Sequence, residues 1–302
     1  MRMALAFLSG LLQGNIKALA RCISLVENEA GDYAQLLQAL PHGSTTKVVG
    51  ITGPPGAGKS TLVNALINQL LKQQQKVAII AVDPSSPFNY GALLGDRIRM
   101  SRHFNNPDVY IRSLASRGAL GGLNYKIIEI SEVIKAAGFD YLFIETVGVG
   151  QSEVEIAGIA DTTVVVVVPE AGDEIQTMKA GLMEIADIFV VNKADREQAD
   201  AFARNLRTLA HLRSQAWSIP VIKTIATQED GVLDLIKQIK LHQQNTYNNT
   251  KRHAQLLTEK VFQLVQQQRM RDVNKGRLQQ EIEQRLQAGT FNLYQMASEF
   301  YN

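Results

Sequence analysis

Between the apolar run KVVGIT and the helix-forming run TLVNALINQLL lies GPPGAGKST, residues 53 to 61. A strand that enters a glycine-rich turn and leaves it as a helix fits few folds, and this turn meets the spacing G-x-x-x-x-G-K-[ST] through Gly53, Gly58, Lys59 and Ser60. Glycines let backbone N–H groups turn inward around phosphate oxygens, and the following helix N-terminus adds a favourable dipole. On this reading Gly53, Pro54, Pro55, Gly56, Ala57, Gly58 and Thr61 form the cradle. Lys59 neutralises the β and γ phosphates, and the Ser60 hydroxyl ligates Mg²⁺. A turn of purely structural use is the plain alternative; Lys59-Ser60 in the correct flanks weighs against it.

The remaining chain agrees with that start. KVVGIT, KVAIIAV, DVYIRS, DYLFIET, TTVVVVV, DIFVVN and PVIKTI are short, β-branched or aromatic, and continuously apolar rather than alternating. Separated by longer helical stretches, they predict an α/β fold: a mainly parallel P-loop NTPase sheet with helices on both faces. Helical N- and C-terminal extensions flank it. The boundaries expected are 1–46 for an N-terminal helical extension, 47–242 for the nucleotide-binding domain and 243–302 for a C-terminal helical arm. The arm carries an apolar stripe at Leu256, Leu257, Val261, Leu264 and Val265, which so short a tail has to bury on the main domain or on another subunit.

Arg2, a short apolar run and Ala18-Leu19-Ala20 imitate a secretory signal. The chain instead continues as an amphipathic helix with Leu19, Cys22, Ile23 and Val26 at helical spacing. No apolar run approaches the roughly 20 residues that span a bilayer. A single cysteine, Cys22, fits a reducing compartment, and a cytoplasmic location is expected.

VVNKAD places Asn192, Lys193 and Asp195 at the end of an apolar strand, where a loop reaches a ligand at the carboxyl edge of the sheet. A carboxylate at Asp195 accepts hydrogen bonds from N1 and the exocyclic amine of guanine; adenine offers no matching pair of donors. GTP and GDP are therefore the expected ligands. After the next strand, Ile225, Ala226 and Thr227 stand where guanine-binding proteins usually place a Ser-Ala pair whose backbone N–H meets the guanine oxygen. Asp83 and Glu145 end strands and Asp96 lies in a loop before a helix, so these carboxylates join Ser60 as candidates for the Mg²⁺ environment and for catalysis. An N-cap role for Asp83 and a surface ion pair for Asp96 are the alternatives.

Taken together, GPPGAGKST, VDPSSP with GALLGDRIRM, RSLASRGALGGL, ETVGVGQSE, PEAGDEIQTMK and NKAD, in this order, resemble the MeaB-type GTPases, also named ArgK and related to the human methylmalonic aciduria type A protein. The resemblance spans nearly the whole chain. It implies a homodimeric G-protein chaperone that binds an adenosylcobalamin-dependent acyl-CoA mutase, typically methylmalonyl-CoA mutase, gates its cofactor loading and protects it from inactivation. It also implies switch roles for Gly148, Asp173 and Lys179. Two departures stand out: Asn89-Tyr90 replaces a small residue and glycine, and Ile225 replaces serine.

Signalling GTPases follow the D-x-x-G glycine with a water-positioning glutamine. Here Val149 follows Gly148, and Gln151 comes two residues later, so slow intrinsic turnover completed by a partner is expected. A nickel-delivery maturation GTPase needs clustered thiolates or imidazoles, whereas one cysteine and histidines at 42, 103, 211, 242 and 253 form no ligand pattern. A transport-protein kinase, which the ArgK name suggests, needs an acceptor hydroxyl and catalytic base with no recognisable signature here. A net charge of +2 argues against nucleic-acid and membrane partners.

Overall fold

The computed structural model describes residues 5–41, 43–83, 100–115, 123–124, 126–146, 152–169, 180–213, 217–248 and 250–300. All seven expected strands form: β1 (Lys47–Thr52), β2 (Val77–Asp83), β3 (Val109–Ala115), β4 (Tyr141–Glu145), β5 (Thr162–Val167), β6 (Ile188–Asn192) and β7 (Val221–Thr224). They pair in the order β3-β2-β4-β1-β5-β6-β7, and every pairing is parallel. Parallel neighbours need long crossovers, which the chain supplies as helices. The described helices are α1 (Leu8–Leu12), α2 (Ile16–Glu27), α3 (Tyr33–Gln38), α4 (Lys59–Lys72), α5 (Ile127–Ala136), α6 (Ser152–Glu155), α7 (Ala180–Ile185), α8 (Ala199–Arg213), α9 (Val232–Asn248), α10 (Thr250–Arg269), α11 (Lys275–Gln287) and α12 (Leu293–Ser298).

The unbroken apolar runs follow from burial on both faces. On one face Val49, Ile51, Val164, Val166, Ile188 and Val190 pack with Leu62, Leu66 and Leu70 of α4 and Leu235 and Ile239 of α9. On the other, Val165, Val167, Phe189 and Val191 meet Phe202, Ala203 and Leu206 of α8. His242 of α9 is fully buried, with Nδ1 2.8 Å from Thr162 Oγ1 and Nε2 3.2 Å from Asp187, so this histidine serves structure.

The chain separates into two compact units, Met1–Leu256 and Leu257–Asn302. Within the first, α2 is capped by Asn15, whose side chain accepts from Lys17 N and Ala18 N, and its buried face is Ala18, Leu19, Cys22, Ile23 and Val26. That face packs toward α5. Burial raises the Cys22 thiol to about 11, so it stays protonated. Lys126, just before α5, is buried and donates to Glu29 (2.7 Å) and Glu129 (2.9 Å) while lying 5.1 Å from the Tyr33 ring centre. Glu27 pairs with Arg112 of β3. These ion pairs fasten the N-terminal helices to the sheet side of the unit.

In the second unit, Asn274 and Asn292 cap α11 and α12 through Arg277 N and Gln295 N, both at 3.0 Å. Arg285 pairs with Glu281 and Glu299. Val261, Phe262, Leu286, Leu293 and Tyr294 are exposed, each above half. No helix among the described residues is long and apolar enough to cross a membrane.

Burial disfavours the Lys126 charge, but its hydrogen bonds to Glu29 and Glu129 outweigh this and raise its pKa. A raised folded-state pKa stabilises fully below the unfolded lysine value and is lost as pH climbs through the folded one, so the contribution is intact at neutral pH. Lys126→Ala is expected to lower stability by about 3 kcal/mol, because two partly buried carboxylates lose their cation. Urea denaturation measures this, and Glu129→Gln should cost less because Glu29 still pairs.

Candidate nucleotide site

Because the strands are parallel, all carboxyl ends lie on one sheet edge, and β1 sits between β4 and β5 where the order of connection reverses. Thr52, Glu145, Asn192 and Thr224 end β1, β4, β6 and β7 at that edge. The phosphate loop leaves β1 with Gly53 at φ 137°, and a Cβ there would stand 2.0 Å from the backbone oxygen of Val166, so only glycine fits. Gly58, at φ 85°, is the residue before α4, and its added Cβ would meet Asn192 Nδ2 at 2.5 Å.

Lys59 is buried, and its ammonium donates to Gly53 O (2.7 Å) and Pro54 O (3.0 Å), which holds the charge inside the loop. Ser60 Oγ donates to Glu145 Oε1 at 2.6 Å, and both residues are buried. Thr146 Oγ1 donates to Thr52 Oγ1 at 3.0 Å beside them. A hydroxyl and a carboxylate in contact at the mouth of a phosphate loop are hard oxygen donors, the chemistry Mg²⁺ selects. Asp83 ends β2, but its side chain lies outside the described residues, as do Asp96, Gly148, Gln151, Asp173 and Lys179.

Asn192 ties the two halves of the edge together. Its Nδ2 donates to Ala57 O of the phosphate loop (2.9 Å), while its Oδ1 accepts from Thr224 Oγ1 (3.1 Å) and Ala226 N (3.2 Å). Lys193, at φ 56°, donates from Nζ to Gly56 O at 2.8 Å. Beyond these struts opens a pocket of about 220 Å³ lined by Gly58, Thr61, Asn192, Lys193, Asp195, Arg196, Ile225, Ala226 and Thr227. The sequence brought all of these forward except Arg196, which directly follows Asp195. Thr224 was also missed, although its place at a strand end across from Asn192 is the signal that marks it. The Ala226 N–H is already engaged by Asn192, so a guanine oxygen would share this donor.

The fold and this edge define a P-loop nucleotide-binding protein. The chain belongs to the family described as methylmalonyl Co-A mutase-associated GTPase MeaB, whose model matches residues 19–281, and is accordingly a MeaB-family GTPase. It is 50% identical over 238 residues to a Pyrococcus abyssi protein, covering 77% of this chain and 74% of that one. It is 35% identical over 250 residues to the mitochondrial methylmalonic aciduria type A homolog of Mus musculus, covering 75% and 60% of the two chains. Among solved structures, one titled LAO/AO transport system kinase superposes with a TM-score of 0.69 at 25% identity, covering 98% of this chain and 96% of that one.

Asn192→Ala is expected to leave Ala57 O, Thr224 Oγ1 and Ala226 N without their shared partner, at a cost of about 2–4 kcal/mol for several buried polar groups. Thermal unfolding with and without GDP reads it: Tm falls, and the stabilisation by GDP shrinks as well.

Proposed function

We propose that this chain is a GTP-driven chaperone of an adenosylcobalamin-dependent acyl-CoA mutase, most directly methylmalonyl-CoA mutase, gating cofactor loading and protecting the loaded enzyme. The observation that carries the nucleotide half is the pocket lined by Asp195 and Ile225–Thr227 and braced through Asn192 to the phosphate loop. The mutase association for which the family is named supports the client half.

The residues act in a definite order of tasks. Asp195 accepts from N1 and the amine of guanine, fixing the base. Lys59 exchanges the carbonyls of Gly53 and Pro54 for phosphate oxygens, placing its charge where negative charge gathers during transfer. Ser60 and Glu145 would hold Mg²⁺, whose charge offsets that of the phosphates. The sequence places Val149 rather than glutamine after Gly148, with Gln151 two residues later, so the usual water-positioning amide is missing from its usual place in the motif. A client that rearranges this segment supplies the alignment, so the nucleotide state reports whether loading is complete. Asp173 and Lys179 are the proposed transmitters of that state.

Homodimerisation through the C-terminal arm belongs to the same reading. Leu257, Val261, Phe262 and Val265 form an apolar face on α10 that remains exposed in the single chain. Removal of residues 251–302 is expected to give a monomer that still binds GTP. Sedimentation of the full chain as a monomer at micromolar concentration would overturn the dimer.

The chaperone reading is tested by single-turnover GTP hydrolysis with and without methylmalonyl-CoA mutase. Acceleration of at least about tenfold, or about 1.4 kcal/mol of barrier, is expected. Asp195→Asn supplies the nucleotide arm, weakening GTP binding by about 2–4 kcal/mol. Fast basal hydrolysis that the mutase does not change would leave a GTPase without this client.

A further inference from the structure

Glu229 is one of five described residues other than glycine with positive φ, at φ 60° and ψ 16°. A glutamate gains no local hydrogen bond there of the kind that lets asparagine or aspartate tolerate this region, so the conformation is strained and needs outside support. The support is visible. The Glu229 carboxylate accepts from Asn68 Nδ2, from Gln69 Nε2 at 2.6 Å and from Lys72 Nζ at 2.9 Å. The Lys72 hydrogen bond, followed by that of Asn68, holds the carboxyl below the usual carboxylate range, so it is ionised at neutral pH.

Those three donors share the last turns of α4, the helix that begins with Lys59 and Ser60. On the other side, Glu229 directly follows the 3₁₀ turn Ala226–Gln228. Gln228 N donates to Ile225 O (2.9 Å), and Ile225 N donates to Asp230 O (3.1 Å), so the segment is closed by its own backbone bonds. Ile225, Ala226 and Thr227 are a wall of the base pocket. Lys72 is largely exposed, and such an ion pair is weak; the half-buried Asn68 and Gln69 bonds set the geometry.

We propose that Glu229 is a positioning residue for base recognition: by pinning the Ile225–Thr227 wall to the end of α4, it holds the base pocket in register with the phosphate loop at the start of the same helix. This rests on the pocket being the guanine site. Asn192 braces the two from inside; Glu229 braces them from outside. Loss of the outer brace lets the wall drift from the base while leaving the phosphate cradle in place.

The test uses the full chain, with release of fluorescent GDP followed by stopped flow, ADP as the base control and inorganic pyrophosphate as a competitor that reads the phosphate loop alone. In Glu229→Gly, which relieves the strain but removes the carboxylate, GDP release is expected to quicken about five- to twentyfold, the scale of losing charge-assisted hydrogen bonds. Glu229→Gln, which keeps the size and an acceptor oxygen, should show a smaller change. In both, preference for GDP over ADP narrows, while competition by pyrophosphate is unchanged. Unaltered GDP release with intact base preference in both variants would overturn the role of Glu229 alone. A parallel loss of pyrophosphate affinity would also overturn it, since it would mean general loosening of α4. A wild-type chain that holds GDP and ADP equally would overturn the guanine reading itself.

Discussion

The carboxamide of Asn192 is the interaction on which the rest of the edge depends. It is buried, and its donor and acceptor atoms face different loops: Nδ2 toward the phosphate-loop carbonyl of Ala57, Oδ1 toward the hydroxyl of Thr224 and the backbone of Ala226. This side chain therefore spans directly from the phosphate loop to the wall of the base pocket. Aspartate would keep the acceptor but turn a carboxylate toward the Ala57 oxygen, and a shorter side chain would reach neither loop. Leaving buried backbone groups unpaired is costly, which favours this spacing of the loops.

The phosphate side is pre-arranged in a complementary way. Lys59 and Ser60 are occupied by the protein's own oxygens, the carbonyls of Gly53 and Pro54 in one case and the Glu145 carboxylate in the other. These contacts give a buried ammonium and a buried carboxylate polar partners, which offsets the cost of taking their charges out of water. Glu145 ends β4, next to β1, so Ser60 is tied to the strand that Gly148 and Val149 follow in sequence.

Much of this was legible because it is local. The phosphate loop, the seven strands and the NKAD motif each consist of a few consecutive residues whose types answer to backbone geometry, charge or a continuous apolar requirement. The α2 face at Leu19, Cys22, Ile23 and Val26 was readable for the same reason, through its helical period. What escaped is non-local. Lys126 looks like any surface lysine until Glu29 is brought to it from the N-terminal helices. Glu229 and Asn68 lie 161 positions apart, and nothing in TQEDG announces a left-handed glutamate. Glycine would have signalled that conformation by itself.

The position of α4 explains why such non-local contacts collect where they do. It is the one helix whose first residues, Lys59 and Ser60, belong to the phosphate loop, while its body is buried against β1, β4 and α9. A helix held so firmly cannot tilt independently of the sheet, which makes the polar side of its last turns a fixed reference for anything attached to them. Three polar side chains there attach to Glu229, and Asn64, one to two turns earlier, accepts from Arg102 and meets His103 at 2.8 Å. Burial and the nearby Arg102 charge depress the His103 pKa and favour the neutral ring, whose contact with the accepting Asn64 Oδ1 requires the tautomer protonated at Nε2. The polar stripe of α4 therefore anchors two separate chain segments, the loop after β7 and the turn Ser101–His103 before β3. Because the helix that begins in the phosphate loop also holds both segments, their spacing from that loop is carried by one packed element.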